Sequence, residues 1–244
     1  MRYFFRVEYD GTGYSGWQRQ RNAPSIQEAL ENAFTTASRV PCRITGAGRT
    51  DAGVHARAQG AHVDLDEKTD IREIELSVNA LLPSAIAVYH LQPADEAFHA
   101  RFSALSRRYR YYLCHRKRPL LFNRVWMVFY EVDWKLVEQT LTALPGTHDF
   151  SAFCAAGSSV RHARCTVTHA SLADEGDLKV VTIEANRFVY TMVRSIVGTL
   201  IDIGRGHLSC SLADLLTGRD RKRAGMTAPA CGLVLDNVFY EGVD

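Results

Sequence analysis

Asp51 lies in a glycine-rich segment and is the first candidate for chemistry. The segment runs from Gly46 to Ala56 and reads Gly-Ala-Gly-Arg-Thr-Asp-Ala-Gly-Val-His-Ala, and its glycines allow close approach of a ligand to the backbone. Asp51 is the only acid between Glu31 and Asp64, with arginines on both sides. A carboxylate in this basic setting should be ionised at neutral pH, which suits a nucleophile better than a general acid. Composition and spacing alone favour a simpler role, in which Asp51 stabilises a turn.

Arg194 is the second candidate, because it interrupts the apolar segment Tyr190–Val197. An arginine in such a helix must either reach solvent along its own stem or pair with a buried anion. Reaching solvent is the commoner arrangement. If Arg194 is buried, Asp51 is the partner that we expect.

A basic and aromatic strand beginning at Arg107 is the third candidate. Alternation along a strand puts Tyr109 and Tyr111 on one face. Arg108 and Arg110 then lie on the other face. Rings stack on exposed RNA bases while guanidinium groups hold phosphates, so the pattern suits RNA. A strand with core tyrosines and a solvated basic face fits the same pattern.

The loop from Asp10 to Gln20 is the fourth candidate. It is rich in glycine but has neither a G-K-[ST] ending nor a G-x-G-x-x-G pattern. Trp17 and Arg19 could contact RNA from this loop. A purely structural turn is equally compatible with its composition.

The elements that position these residues follow one order in each half of the chain. Residues 3–9 alternate, with Arg6 and Glu8 on the polar face, and predict a half-buried strand. Ser25 begins a capping box for a first helix, and Asp70 caps a second. The other strands of the first half are expected over 40–46, 60–65 and 85–92.

The second half repeats this order with insertions. Its predicted elements are strands over 107–115 and 125–132, a helix after Asp133, an irregular stretch over 145–163, strands over 165–172 and 178–185 joined by a turn at Asp174–Asp177, a helix over 187–203, a short helix after Ser211 and a strand near 233–240. Two β-α-β-β-α-β units predict an α+β fold of two ferredoxin-like halves with antiparallel sheets, over 1–105 and 106–244. Two such halves side by side would flank a central basic cleft, a common place for a binding site.

Bulk composition is that of a globular protein, with 46% hydrophobic and 23% charged residues and a net charge of +2. Charge is distributed unevenly, since Arg101 to Arg118 contains seven basic residues and no acid. The six cysteines form no C-x-x-C pair and match no common zinc motif. The N-terminus lacks a signal-peptide pattern, and the apolar stretch 188–203 is too short for a membrane span, so a cytoplasmic protein is expected.

Taken together, these segments resemble the tRNA pseudouridine synthase A family over nearly the whole chain. The matching pieces are Tyr9–Gly11, Gly16–Gln20, Gly48–His55, Val78–Pro83, Phe98–Ala104, Arg108–Tyr111, Met192–Arg194 and Ala228–Leu233. The resemblance implies the pseudouridine synthase fold and a cofactor-free, metal-free homodimer. It also implies that the enzyme isomerises uridines 38, 39 and 40 in the anticodon stem-loop of tRNA.

The resemblance also assigns roles to residues of this sequence. Asp51 would be the nucleophile, Tyr109 would stack on the target base and assist proton transfer, and Arg194 would hold the Asp51 carboxylate. Arg49 would enter the RNA stem and support the flipped-out nucleotide, and Leu233 would pack near the base. The remaining candidates for substrate contact are Arg108, Arg110, Trp17, Arg19, Arg101 and His55.

Two other functions compete with this interpretation. A non-catalytic RNA-binding protein of ferredoxin-like fold would use the same basic, aromatic strands, although the RNP1 pattern is absent. A metal-dependent nuclease would need several clustered carboxylates, and the region around Asp51 has one.

Overall fold

The computed structural model describes residues 1–155 and 162–243, which divide into two compact units. One unit contains residues 1–105 together with the C-terminal residues from Val234 onward, and the other contains residues 106–233. The helices and strands are β1 (Arg2–Tyr9), α1 (Ile26–Ser38), β2 (Thr45–Gly46), β3 (His55–Asp64), α2 (Ile71–Leu81), β4 (Ile86–Pro93), β5 (Ala104–Cys114), β6 (Trp126–Met127), α3 (Trp134–Leu141), β7 (Gly146–Asp149), β8 (Arg164–Glu175), β9 (Leu178–Ala185), α4 (Met192–Gly204), α5 (Leu212–Gly218) and β10 (Leu233–Tyr240).

The first unit follows the predicted β-α-β-β-α-β order from β1 to β4. Strand β1 pairs antiparallel with β3 and β4, and the short β2 pairs antiparallel with β3. Strand β10 joins β3 in parallel, with Val234 opposite His55. The sequence assigned this last strand to the second half, whereas its residues from Val234 onward belong to the first unit. Phe5 of β1 and Phe34 of α1 connect sheet and helix, with ring centroids 5.0 Å apart.

Strand β1 is buried on both faces, so the prediction of a half-buried strand is wrong. Only Glu8 is exposed, and Arg6 is 6% exposed. The Arg6 guanidinium donates to the carbonyl of Val238 at 2.6 Å, and Phe4 contacts Tyr240 edge-on. Residues of strand β10 therefore cover the face of β1 that the sequence pattern predicted to be exposed to solvent.

The second unit has an antiparallel sheet in the order β5-β9-β8-β7, with β6 parallel on β5. Helix α3 packs on α4 and β8. The approach to α4 is close, because a Cβ on Gly204 would lie 2.8 Å from side-chain atoms of Val132 and Val137. The α+β class with antiparallel sheets, predicted from the sequence, is confirmed.

Several element boundaries differ from the sequence prediction. The strands expected over 40–46 and 125–132 shrink to two residues each, β2 and β6. The stretch predicted to be irregular contains β7, which pairs with β8. Helix α4 begins at Met192 rather than at 187, because Thr191 before it has a left-handed backbone with φ of 61°. Apolar periodicity marks a buried segment, and the backbone at its edge determines where the helix begins.

Candidate functional site

The loop that carries Asp51 connects β2 to β3 and is fixed by backbone contacts with residues 11–17. The Trp17 amide donates to the Thr50 carbonyl at 3.1 Å, and the Gly53 amide donates to the Tyr14 carbonyl at 3.3 Å. Gly16 has φ of +96°, and a Cβ there would lie 2.5 Å from the Thr50 oxygen. Only glycine fits this position. The backbone is therefore held on both sides of Asp51.

Asp51 itself is half-buried and begins a tight turn. Its carbonyl accepts from the Val54 amide at 3.1 Å, and Gly53 inside the turn has φ of 76°. The preceding Thr50 is buried, with Oγ1 2.8 Å from the Tyr9 hydroxyl. The turn proposed from the sequence exists, but the Asp51 backbone makes this bond, so it does not require the carboxylate.

His55 and Trp17 are buried, at 6% and 3% exposure. His55 Nδ1 accepts from the Gly11 amide at 3.1 Å, and a Cβ on Gly46 would lie 2.5 Å from the Trp17 ring. Both side chains thus pack the glycine-rich segments together. Their predicted contact with RNA stays a prediction, and the observed role of both is structural.

Three arginines of the first unit were predicted to contact substrate, and all are exposed. Arg49 donates from Nε to Gln18 Oε1 at 3.0 Å. Arg19 forms an ion pair with Glu31 at 3.0 Å. The Arg101 guanidinium lies 5.7 Å from the ring centroid of Phe102, which is 76% exposed. A basic group beside an exposed ring is an arrangement that suits RNA bases.

In the second unit, Tyr109 and Tyr111 share a face of β5, as predicted. Tyr109 is half-buried, and its ring meets Phe188 edge-on with centroids 5.0 Å apart. Tyr111 is fully buried and donates to the Pro229 carbonyl at 2.7 Å. Burial raises the pKa of the Tyr111 phenol well above its usual value. Tyr111 is therefore a core residue, and Phe188 is a neighbour of Tyr109 that the sequence did not single out.

Arg108 and Arg110 are both paired with acids of other strands in the same sheet. Arg108 lies opposite Glu184 of β9 and forms an ion pair of 2.8 Å with it. Arg110 pairs with Glu175 at the end of β8. The predicted basic face of β5 is thus partly neutralised, and an RNA contact by either arginine stays a prediction.

Arg194 and Leu233 lie near one irregular segment of the second unit, residues 225–233. Half-buried Arg194 donates from Nε to the Ala228 carbonyl at 2.9 Å, and its own carbonyl accepts from the Ala228 amide at 3.0 Å. Leu233, 6% exposed, ends this segment. A Cβ on Gly232 would lie 2.7 Å from the Tyr111 ring. The segment thus contacts both α4 and β5.

The structure accordingly gathers the predicted residues in two groups. The Asp51 loop belongs to the first unit, while Tyr109, Arg194 and Leu233 belong to the second. The pairing of Asp51 with Arg194 stays a prediction. No three His, Cys, Asp or Glu side chains within 1–155 and 162–243 are arranged to hold a metal ion. Over the same ranges, no helix has the length and hydropathy needed to cross a bilayer.

Comparison with known proteins adds an independent observation. The sequence profile of the tRNA pseudouridine synthase family matches residues 6–103 and 141–241. The chain is 41% identical to tRNA pseudouridine synthase A of Porphyromonas gingivalis over 98% of this chain and 97% of that protein. It is 40% identical to the protein of the same name from Thermoanaerobacter sp., over 96% and 97% of the two chains. The corresponding protein of Aeromonas hydrophila is 42% identical over 98% of this chain and 90% of its own. The chain belongs to the tRNA pseudouridine synthase family.

Proposed function

We propose that this protein isomerises uridine to pseudouridine at positions 38, 39 and 40 of the tRNA anticodon stem-loop, with Asp51 as the nucleophile. Membership of the family supports the reaction and the tRNA substrate. The similarity to relatives named tRNA pseudouridine synthase A, at about 40% identity over nearly the full length, supports the stem-loop positions.

The observation that carries the proposal is the fixed loop around Asp51. Its neighbour Thr50 is bound through both its carbonyl and its hydroxyl, so the backbone that carries the carboxylate is fixed before substrate arrives. Preorganisation of this kind is what a nucleophile needs, because a displacement of about 1 Å can cost on the order of a hundredfold in rate.

The reaction itself asks little more of the protein than one carboxylate. The N1–C1′ bond breaks, uracil turns, and a C5–C1′ bond forms. A proton is lost from C5 and one is gained at N1, so atoms and electrons balance without an external reagent. Asp51 would attack either C6 of uracil or C1′ of the ribose. No cofactor or metal is required by this balance.

Residues of the second unit would hold the extruded nucleotide. Flipping the uridine out of its stack costs a few kcal/mol, and stacking on Tyr109 would return about 1–3 kcal/mol. Arg194 would face the Asp51 carboxylate, and its bond to the Ala228 carbonyl supports this role because it restrains the guanidinium. Leu233 would pack against the base, and a basic cleft would receive the RNA.

The assembly and the cellular location are proposed from the same family resemblance. We expect a homodimer in the cytoplasm that binds tRNA with both subunits. Light scattering coupled to size-exclusion chromatography measures the mass of the particle, and a mass of one chain at micromolar concentration would contradict the dimer.

The decisive experiment is Asp51→Asn, with chemical mapping of pseudouridine in tRNA. The amide keeps the size of the side chain but is a poor nucleophile, so product should vanish while tRNA affinity changes by less than about tenfold. Glu67→Gln is the matched control, since it removes an exposed negative charge from the same unit. Turnover by the asparagine variant would exclude Asp51 as nucleophile.

Two outcomes would favour the rival functions. Binding of tRNA by the wild type with no pseudouridine formed would favour a non-catalytic RNA-binding protein. Loss of activity in EDTA would favour metal-assisted chemistry, whereas our proposal expects unchanged turnover.

A further inference from the structure

A continuous chain of hydrogen bonds connects Arg49 to a buried carboxylate in α1. Arg49 Nε donates to Gln18 Oε1 at 3.0 Å, and Gln18 Nε2 donates to Gln27 Oε1 at 3.0 Å. Gln27 Nε2 then donates to Glu31 Oε1 at 3.2 Å. These four side chains, Arg49, Gln18, Gln27 and Glu31, are called the Glu31 relay below. Arg49, at one end of the relay, lies two residues before Asp51 in the sequence.

Glu31 is the one buried acidic residue among those that the structure describes, at 8% exposure. A carboxylate taken out of water is costly unless its oxygens are bonded. Oε2 of Glu31 accepts from Arg19 at 3.0 Å, and Oε1 accepts from the Ile44 amide at 3.3 Å as well as from Gln27. The charge is thus compensated inside the first unit.

An ionised carboxylate can only accept hydrogen bonds, and this sets the direction of the relay. Gln27 must turn its amino group towards Glu31 and therefore its oxygen towards Gln18. Gln18 must in turn present its amino group to Gln27, which leaves its oxygen for Arg49. The backbone supports the same orientation, because the Arg19 amide donates to Gln27 Oε1 at 3.1 Å and Gln27 Nε2 donates to the Ile44 carbonyl at 3.0 Å.

We propose that Glu31 is a positioning residue for tRNA binding, acting through Gln18 and Gln27 to hold Arg49 in place. This inference rests on the proposed role of Arg49 in contacting RNA. Arg49 is exposed on a long side chain, and such a side chain binds more tightly when its rotamers are restricted beforehand. The relay uses Nε of Arg49, while the two Nη nitrogens carry the donors with which arginine holds a phosphate.

Glu31→Gln tests this role with a small change. A glutamine at this position must turn its amino group towards either Arg19 or Gln27, both of which are donors, so the relay loses its direction. We expect the Kd for tRNA and the KM to rise by about threefold to tenfold, the effect of one oriented hydrogen bond. The kcat should stay within about twofold, since Asp51 keeps its own loop contacts.

Glu28→Gln is the matched control on the same helix. Glu28 contacts Arg19 at 3.6 Å and lies outside the relay. Both substitutions remove one negative charge, which by itself strengthens binding to the polyanionic RNA. We expect unchanged or slightly tighter binding for this variant and weaker binding for Glu31→Gln. Tighter binding by Glu31→Gln would overturn the proposal.

A double-mutant cycle with Arg49→Ala separates positioning from general loss of structure. If Glu31 acts through Arg49, Glu31→Gln should have no further effect on Kd once Arg49 is alanine. Additive effects would show a role independent of Arg49. Should Glu31→Gln be poorly folded, Gln18→Ala breaks the relay at its exposed end and should reproduce the same rise in Kd.

Pseudouridine formation by the wild type is measured in the same samples. Its absence would refute the proposed function, whatever the cycle shows. Product formation with additive effects in the cycle would refute the relay alone. An Arg49→Ala variant that binds tRNA like the wild type would also refute it.

Discussion

The Asp51 loop and strand β5 carry the strongest chemical signals in the sequence, but the contacts that surround them in the structure are of different kinds. The loop backbone is fixed by hydrogen bonds and glycine contacts that lead to residues 11–17. Arg108 and Arg110 of β5 are instead engaged by acids, Glu184 and Glu175, which lie 76 and 65 residues further along the chain.

The difference shows what residue types alone can indicate. Glycine spacing around Asp51 predicts a tight loop because glycine allows backbone conformations and close contacts that other residues do not. A cluster of arginines predicts a basic face only if no acid lies opposite, and strand pairing decides that. In this chain the glycine pattern therefore predicted the local backbone, whereas the run of positive charge did not predict its pairing with acids.

The largest effect should come from a methyl group that forces the loop out of place. Gly11→Ala would put a Cβ 2.1 Å from the Val54 carbonyl oxygen, so the backbone must move. We expect kcat/KM to fall by about a hundredfold or more, the cost of misplacing a nucleophile by about 1 Å. Gly13→Ala, with open space around the Cβ, should behave like the wild type. Equal activity of the two variants would contradict a loop fixed at this contact.

Acid should destabilise the first unit more than the second, because the first unit contains His62 of β3. Burial, followed by repulsion from Arg2, lowers the pKa of His62 from 6.5 to about 4. Below pH 6.5 His62 is protonated in the unfolded chain, whereas in the folded chain it stays neutral until the pH approaches 4. The stabilisation present above pH 6.5 is therefore lost as the pH falls towards 4, by at most about 1.4 kcal/mol per pH unit.

Hydrogen exchange at pH 7.5 and pH 5 measures this effect in each unit. Amides of β1 and β3 should lose more protection in acid than amides of β8 and β9. His62→Asn keeps an acceptor for the Ala100 amide, which now donates to Nδ1 at 3.1 Å, and should reduce the difference. A variant as acid-sensitive as the wild type would assign the effect to other groups.

The smallest expected effect is on the salt dependence of tRNA binding, compared between Arg49 of the Asp51 loop and Arg108 of β5. Arg49→Ala should reduce the salt dependence of tRNA binding by about one phosphate contact, whereas Arg108→Ala should change it less because Glu184 already pairs with Arg108. The measurement is the slope of log Kd against log salt concentration for both variants. An equal reduction in slope would mean that RNA displaces Glu184, and the contrast between the two regions would disappear.

Local features of the fold could be predicted from the sequence. Ser25, Asp70 and Asp133 cap their helices through side-chain bonds to backbone amides, as expected. The turn predicted at Asp174–Asp177 joins β8 to β9, with Gly176 at φ of 64°. Caps and turns depend on residues within a few positions of each other, so their chemistry is visible in a short stretch.

The Glu31 relay was missed, although part of its signal was present. Gln27 and Glu31 are four residues apart and so lie on one face of α1. Gln18 and Arg49 come from separate loops, and no periodicity connects them. The candidate residues were thus found by type, whereas their hydrogen-bond partners required coordinates.

The sequence by itself determined the order of elements in the first unit, the glycine-rich loop around Asp51 and the resemblance to one enzyme family. Tertiary structure decided that β10 pairs with β3, that Arg6 is buried beneath that strand, and that Arg108 meets Glu184. The physical reason is distance along the chain. Propensities and caps act between near neighbours, whereas burial and charge pairing depend on strands that meet only after the chain has folded.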